Sequence, residues 1–186
     1  MKSSSWLPSP PEKRYPFWVC WVFRKQQKTF GEVLHPARWW GLRPFRYLLF
    51  MLFWRDFDRK RSPLEPPLRA LVQVLVAQRN GCAFCTDLNA LHLLQREGDL
   101  HKLEELSHYA EANGLSEREK TALAYAEGIT TTPVAVDQAL QERVKGLFST
   151  EEIAELTGLV AFQNMSAKFN TALDLPSQGL CERGSR

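Results

Sequence analysis

Cys82 and Cys85 lie in the segment Asn80-Gly-Cys-Ala-Phe-Cys-Thr-Asp-Leu-Asn89, ahead of a helical pattern. Two thiols at Cys-x-x-Cys spacing can close a small disulfide and reopen it, so the pair is a candidate two-electron redox centre. A helix start suits that chemistry, because unpaired backbone N–H groups and the positive end of the helix dipole favour the reactive thiolate. Arg79 would add positive charge nearby, whereas Asp87 would oppose a thiolate if it lay close. Asn89 and His92 stand at i+4 and i+7 from Cys85 and share its helical face. Asn89 can hydrogen-bond a sulfur but cannot take up a proton, while His92 can titrate. At about 1.5 Å rise per residue, His92 stands roughly 10 Å along the axis from Cys85, so any relay would pass through water. An ordinary surface or interface histidine is the plainer reading of His92.

The same thiols admit other assignments. A structural zinc site usually takes four ligands, but the chain has no second cysteine pair; Cys20 and Cys181 are isolated, leaving His92, His101 and His108 as recruits. A thioredoxin-like domain would set the motif in βαβ patterning, and no strand–helix alternation is found. Two cysteines buried in a core are the structural alternative. No metal and no cofactor are expected.

The elements that must hold these residues read as helices throughout. Residues 1–15, rich in Ser, Pro and charge, are expected to form a flexible or surface-draped arm; residues 16–175 form one domain and 176–186 a tail. Helices are predicted from Pro16 to about Phe30 and from about Pro44 to Phe57, with a turn at His35-Pro36 between them. Prolines 63, 66 and 67 precede another helix, in which Leu68, Leu71, Val72, Leu75 and Val76 form one buried face. Gly81 suits a C-terminal cap. The cysteine helix should begin at or just before the thiols and run to about Arg96 on a Phe84, Leu88 and Leu91 stripe, with Gly98 closing it. Ser116-x-x-Glu119 and Ser149-x-x-Glu152 are capping boxes, opening helices to about Thr130 and Leu173. A shorter helix is predicted over about Val136 to Leu147, and Pro176 starts the tail.

Composition narrows the setting. A chain of 186 residues that is 44% hydrophobic can bury a real core without disulfide staples. Four cysteines and no secretory signal point to a reducing, cytoplasmic setting. The runs Phe17 to Phe23 and Leu48 to Trp54 fall well short of the roughly 20 residues of a membrane span. Residues 1–69 hold 14 Lys/Arg against 5 Asp/Glu, all six Trp and 15 of 21 aromatic residues, whereas the remainder is acidic. Such a basic, aromatic half suits nucleic acid, an anionic membrane or an acidic partner, but the plainer reading places the aromatics in the core and a subunit interface. Without a nucleic-acid motif, no nucleic-acid partner is expected; a membrane surface remains a secondary reading.

Three segments in order carry a family resemblance: Leu68-Arg-Ala-Leu-Val leading into Asn80-Gly-Cys-Ala-Phe-Cys; Glu119-Lys-Thr-Ala-Leu-Ala-Tyr-Ala-Glu127 before Pro133; and Phe162-Gln-Asn-Met-Ser-Ala-Lys-Phe-Asn170. From about Pro16 to Cys181 the chain resembles the carboxymuconolactone decarboxylase and alkylhydroperoxidase D superfamily. The resemblance implies an all-α, alkylhydroperoxidase D-like domain of about six to eight helices. It also implies a homo-oligomer, with the Cys-x-x-Cys at a helix N-terminus near a subunit boundary. In the peroxidase members the second cysteine attacks the peroxide, the first resolves it as a disulfide, and a thiol reductant reopens that bond.

Carried over, Cys85 would be peroxidatic and Cys82 resolving. Dithiol logic alone selects Cys82, as the more N-terminal and more exposed thiol, to meet external partners. The family's peroxidases place a Glu twelve residues before the first cysteine and a His four after the second. Ala70 and Asn89 stand there, so Glu65 or His92 would have to serve from a different geometry. The decarboxylase members do not rely on a Cys-x-x-Cys. The expectation is therefore a thiol-dependent oxidoreductase, peroxidase-like or disulfide-exchanging, with Asn89 and His92 supporting Cys82 and Cys85. Its partners would be a hydroperoxide or disulfide substrate and a protein or small-molecule thiol reductant. The alternative is a non-catalytic helical oligomer or redox-sensing interaction module.

Overall fold

A computed structural model describes residues 6–11, 15–97 and 100–184. Its helices are α1 (Phe17–Phe30), α2 (His35–Gly41), α3 (Pro44–Phe57), α4 (Pro66–Arg79), α5 (Ala83–Glu97), α6 (His101–Glu105), α7 (Glu117–Thr130), α8 (Gln138–Leu147), α9 (Thr150–Ala172) and α10 (Leu180–Gly184). No strand occurs among the described residues. The all-helical expectation holds, while part of the predicted arm and Gly98, the predicted end of α5, lie outside the described residues.

Local chemistry explains most boundaries. Both capping boxes form: Ser116 and Ser149 accept from the amides of Glu119 and Glu152, whose side chains reach back to the cap amides. Asp137 accepts from Leu140 N–H, so α8 begins at Gln138, slightly later than predicted. The predicted turn at His35-Pro36 is instead the first turn of α2. Proline there loses no hydrogen bond, since the first helical N–H groups have no partner within the helix.

The core is built around α4, which packs on α5, α7 and α9. The sequence pattern marked one buried face, but every residue from Leu68 to Ala77 is buried. That span includes Arg69 and Gln73, which a two-faced reading places towards solvent. Arg69 is accommodated because its guanidinium donates to the Phe57 and Arg59 carbonyls. A second cluster joins Tyr15, Val19, Phe23, Trp40 and Tyr47, with Trp40 stacked between Phe50 and Phe169 at centroid distances of 4.7 and 4.1 Å.

The aromatic, basic half therefore supplies core, but not core alone. Phe17, Trp21, Phe45, Leu49, Leu52 and Phe53 are exposed on α1 and α3. Among the described residues, no helix is long and apolar enough to cross a membrane.

Candidate redox site

The turn between α4 and α5 presents the thiols. Gly81 takes a left-handed conformation, φ +63°, in which a Cβ would be strained. Gly81 N–H donates to Gln78 O and Cys82 N–H to Ala77 O, both at 2.9 Å, ending α4 in a Schellman motif. Asn80 fixes this turn to α9 by donating to Asn164 Oδ1 at 2.8 Å, and Thr171 Oγ1 donates to the Asn80 carbonyl at 3.2 Å. Cys82 then occupies the cap position of α5, where its sulfur accepts the Cys85 N–H at 3.2 Å.

Cys82 and Cys85 are joined as a disulfide with Cα atoms 5.3 Å apart. Cys82 is 2% exposed and Cys85 4%, so the expected exposure of Cys82 is not observed. Instead both cysteines pack in one cluster with Ala77, Phe84, Leu91, Ala167 and Leu180. Cys85 differs in its outlook, because it lines a cavity of about 390 Å³ between α1, α2, α3, α4, α5 and α9. Its sulfur accepts a hydrogen bond from Asn170 Nδ2 at 3.2 Å. Hydrogen bonds of this kind favour a thiolate, so each sulfur has a donor suited to its charged form.

Asn89 and His92 also line this cavity, which brings three of the four selected side chains together. Asn89 is buried and donates to the Gln73 carbonyl at 3.4 Å, which fixes its amide between α4 and α5. Burial pulls the His92 imidazole down to about 4, with Arg96 adding to the shift and Asp58 opposing it. His92 is therefore neutral at pH 7. Tyr47, another lining residue, is raised by burial to about 12. No carboxylate lines the cavity among the described residues; Glu65 caps α4 and pairs with Arg118 at 3.2 Å.

The flanking charges are engaged elsewhere. Arg79 forms an ion pair with Glu127 at 2.6 Å. Asp87 accepts from Ser177 Oγ and from the amides of Gln178, Leu180 and Cys181, all within 3.0 Å. It thereby fastens α10 to α5. Cys20 and Cys181 are free and partly buried. Among the described residues, no group of three His, Cys, Asp or Glu side chains is placed to hold a metal ion.

Burial alone would raise the Asp87 carboxyl, but the amide and hydroxyl donors outweigh it and hold it below the ordinary aspartate range. A lowered folded-state pKa stabilises the docked tail fully above the ordinary range. That stabilisation fades as pH falls through the lowered value. Asp87→Ala is expected to speed hydrogen exchange at the Leu180 and Cys181 amides by about tenfold or more, since hydrogen bonds to charged groups contribute about 1.5–3 kcal/mol. In the unsubstituted protein the same acceleration, beyond the intrinsic pH dependence of exchange, should occur only in acid.

Sequence reasoning did not select Trp40, Gln73, Gln163 or Asn170, all of which line the cavity. Gln163 and Asn170 stand at i and i+7 on α9, both buried. Polar residues on the buried face of a helix were the available signal, and Gln73 within the apolar run of α4 repeats it.

Residues 44–128 match the carboxymuconolactone decarboxylase family. The chain is 40% identical over 175 residues to the uncharacterized protein YnjA of Escherichia coli (strain K12), covering 92% of this chain and 94% of that relative. Among solved structures, it is similar to an uncharacterized peroxidase-related protein from Ralstonia eutropha JMP134 described as an alkylhydroperoxidase AhpD core. That match has a TM-score of 0.84 and 18% identity, covering 98% of this chain and 97% of the other. The debrominase Bmp8 superposes with a TM-score of 0.82 at 16% identity, covering 98% and 97% of the two chains. At these identities the structural matches establish the fold.

Proposed function

The chain belongs to the carboxymuconolactone decarboxylase and alkylhydroperoxidase D superfamily, and from that premise we propose that it is a thiol-dependent oxidoreductase of the peroxidase-like kind. The observation that carries this reading is the asymmetry of the dithiol. Cys85 lines an apolar cavity and Cys82 does not. A small hydroperoxide can enter such a cavity, whereas a folded protein disulfide cannot bring its sulfurs to a side chain that is 4% exposed. Hydroperoxide reduction is therefore favoured over disulfide exchange as the oxidising half-reaction.

Cys85 attacks and Cys82 resolves. The reductant is a thiol that reaches the same cavity, so it meets Cys85 and expels Cys82 as a thiolate. The Cys85 N–H, already on the Cys82 sulfur at 3.2 Å, stabilises that leaving group. Asn89 and neutral His92 shape the polar wall and do not serve as a strong base. The exposed apolar side chains of α1 and α3 support self-association into a homo-oligomer.

The test counts thiols. Reduced and then denatured, the chain presents four thiols, from its four cysteines. After one equivalent of hydroperoxide and quenching, two should remain, with a Cys82–Cys85 disulfide in the peptide map. A small dithiol should restore four. Thiols that stay inert to hydroperoxide would refute the proposal.

A further inference from the structure

Three residues around the cavity in front of Cys85 carry polar atoms that the protein itself does not use. Trp40 Nε1, Gln163 Nε2 and Asn170 Oδ1 are buried and have no hydrogen-bond partner among the described residues. The three residues are 8%, 4% and 1% exposed. Such atoms are ordinarily partnered, so three on residues that surround one cavity point to a ligand or solvent as their partner. Two are donors and one is an acceptor.

Asn170 joins this set to the chemistry. Its Nδ2 donates to Cys85 Sγ while Oδ1 is the unused acceptor, so a group that donates to Oδ1 is held beside the sulfur. The amide orientation is the one a thiolate requires, since N–H can donate to sulfur and a carbonyl oxygen cannot. Elsewhere the cavity wall carries the aromatic rings of Phe30, Tyr47, Phe50, Trp54, Phe84 and Phe162. A volume of about 390 Å³ is far more than hydrogen peroxide needs, given about 30 Å³ for a water in the liquid.

We propose that Trp40, Gln163 and Asn170 form a neutral cradle for the O–O–H group of a bulky, aryl-bearing hydroperoxide. This rests on the peroxidase reading above; with no titrating group at Ala70 or Asn89, hydrogen bonds from the cradle stabilise the reacting oxygens and solvent supplies the proton. The terminal oxygen of the hydroperoxide donates its proton as a hydrogen bond to Asn170 Oδ1. The Cys85 thiolate forms a bond to that oxygen, the O–O bond breaks, and its electron pair leaves on the proximal oxygen. Gln163 and Trp40 donate to the resulting alkoxide, which takes from solvent the proton that the Cys85 thiol released and departs as the alcohol. Sulfur is oxidised by two electrons to sulfenic acid as the peroxide bond is reduced. Cys82 then attacks the sulfenic sulfur; its proton and the departing hydroxide make water, and the disulfide closes.

Two variants separate binding from folding. Gln163→Met keeps the side-chain length without its polar atoms, and Trp40→Phe keeps a ring against Phe50 and Phe169 while removing the N–H. Rates of Cys85 oxidation by cumene hydroperoxide and by hydrogen peroxide are measured alongside Cys85 alkylation by iodoacetamide. Binding of the product alcohol, 2-phenyl-2-propanol, to the disulfide form is measured by calorimetry. Wild type should react with cumene hydroperoxide at least about tenfold faster than with hydrogen peroxide. Gln163→Met should lose about 10²-fold in that rate, the scale of a deleted oxyanion donor. Alkylation should be unchanged, and both variants should bind the alcohol more weakly. Unchanged oxidation and binding in both variants would overturn the cradle, as would an equal loss in alkylation. If wild-type Cys85 ignored both peroxides while alcohol binding still depended on Gln163 and Trp40, the cradle would stand and the peroxidase reading would fall.

Discussion

Cys85→Ser is expected to reduce hydroperoxide turnover by about 10³-fold or more, to the background of the uncatalysed reaction, because it removes the nucleophile itself. Cys82→Ser should behave differently. It keeps a sulfur facing the cavity and the Asn170 hydrogen bond to it, so the first oxidation proceeds. Without reductant the reaction then stops after one equivalent, since no neighbouring thiol remains to displace hydroxide from the sulfenic acid. The two serine variants are thus distinguished by burst size: none for Cys85→Ser and one equivalent for Cys82→Ser, read as alcohol formed in the absence of reductant. A full burst in Cys85→Ser would transfer the nucleophile's role to Cys82 and contradict the geometry, in which Cys85 and not Cys82 lines the cavity.

Leu75→Ala should destabilise the reduced protein by about 3–5 kcal/mol, measured as the fall in unfolding free energy in urea. Leu75 is fully buried at the centre of α4, which packs on α5, α7 and α9. Truncation there leaves a cavity that four helices would have to collapse to fill, and close-packed helices relax only partly. Keeping the thiols reduced removes any contribution of the Cys82–Cys85 bond from both proteins. A loss below about 1 kcal/mol would mean that α4 is not the centre of the core.

The central place of α4 shows where sequence and structure part. Leu68, Leu71, Val72, Leu75 and Val76 announced one buried face by their spacing, which leaves out Arg69 and Gln73. They are buried because carbonyls at the end of α3 and the following turn accept the Arg69 guanidinium, and because Gln73 borders the cavity. Neither reason is local to α4. By contrast, Ser116, Ser149 and Gly81 act within a few residues of themselves, and the helix ends they predicted were found where they were placed.

The site divides the same way. Cys82, Cys85, Asn89 and His92 lie on one turn and one helix, so spacing alone could group them. Trp40, Gln163 and Asn170 come from α2 and α9, far along the chain, and meet Cys85 only after the helices pack. The relative exposure of the thiols was illegible for a related reason. Leu180, carried by the tail that Asp87 fastens to α5, belongs to the cluster that buries both cysteines, and a pattern read along α5 contains no trace of it.

The role of Cys85 as nucleophile is tested most directly by locating the first oxidation product. Reduced Cys82→Ser is treated with one equivalent of hydroperoxide in the presence of a sulfenic-acid trap, and the adduct is mapped by mass spectrometry. A single adduct on Cys85, the one thiol of the pair that lines the cavity, is expected. An adduct confined to Cys20 or Cys181, or a Cys85 that stays reduced while peroxide persists, would contradict it.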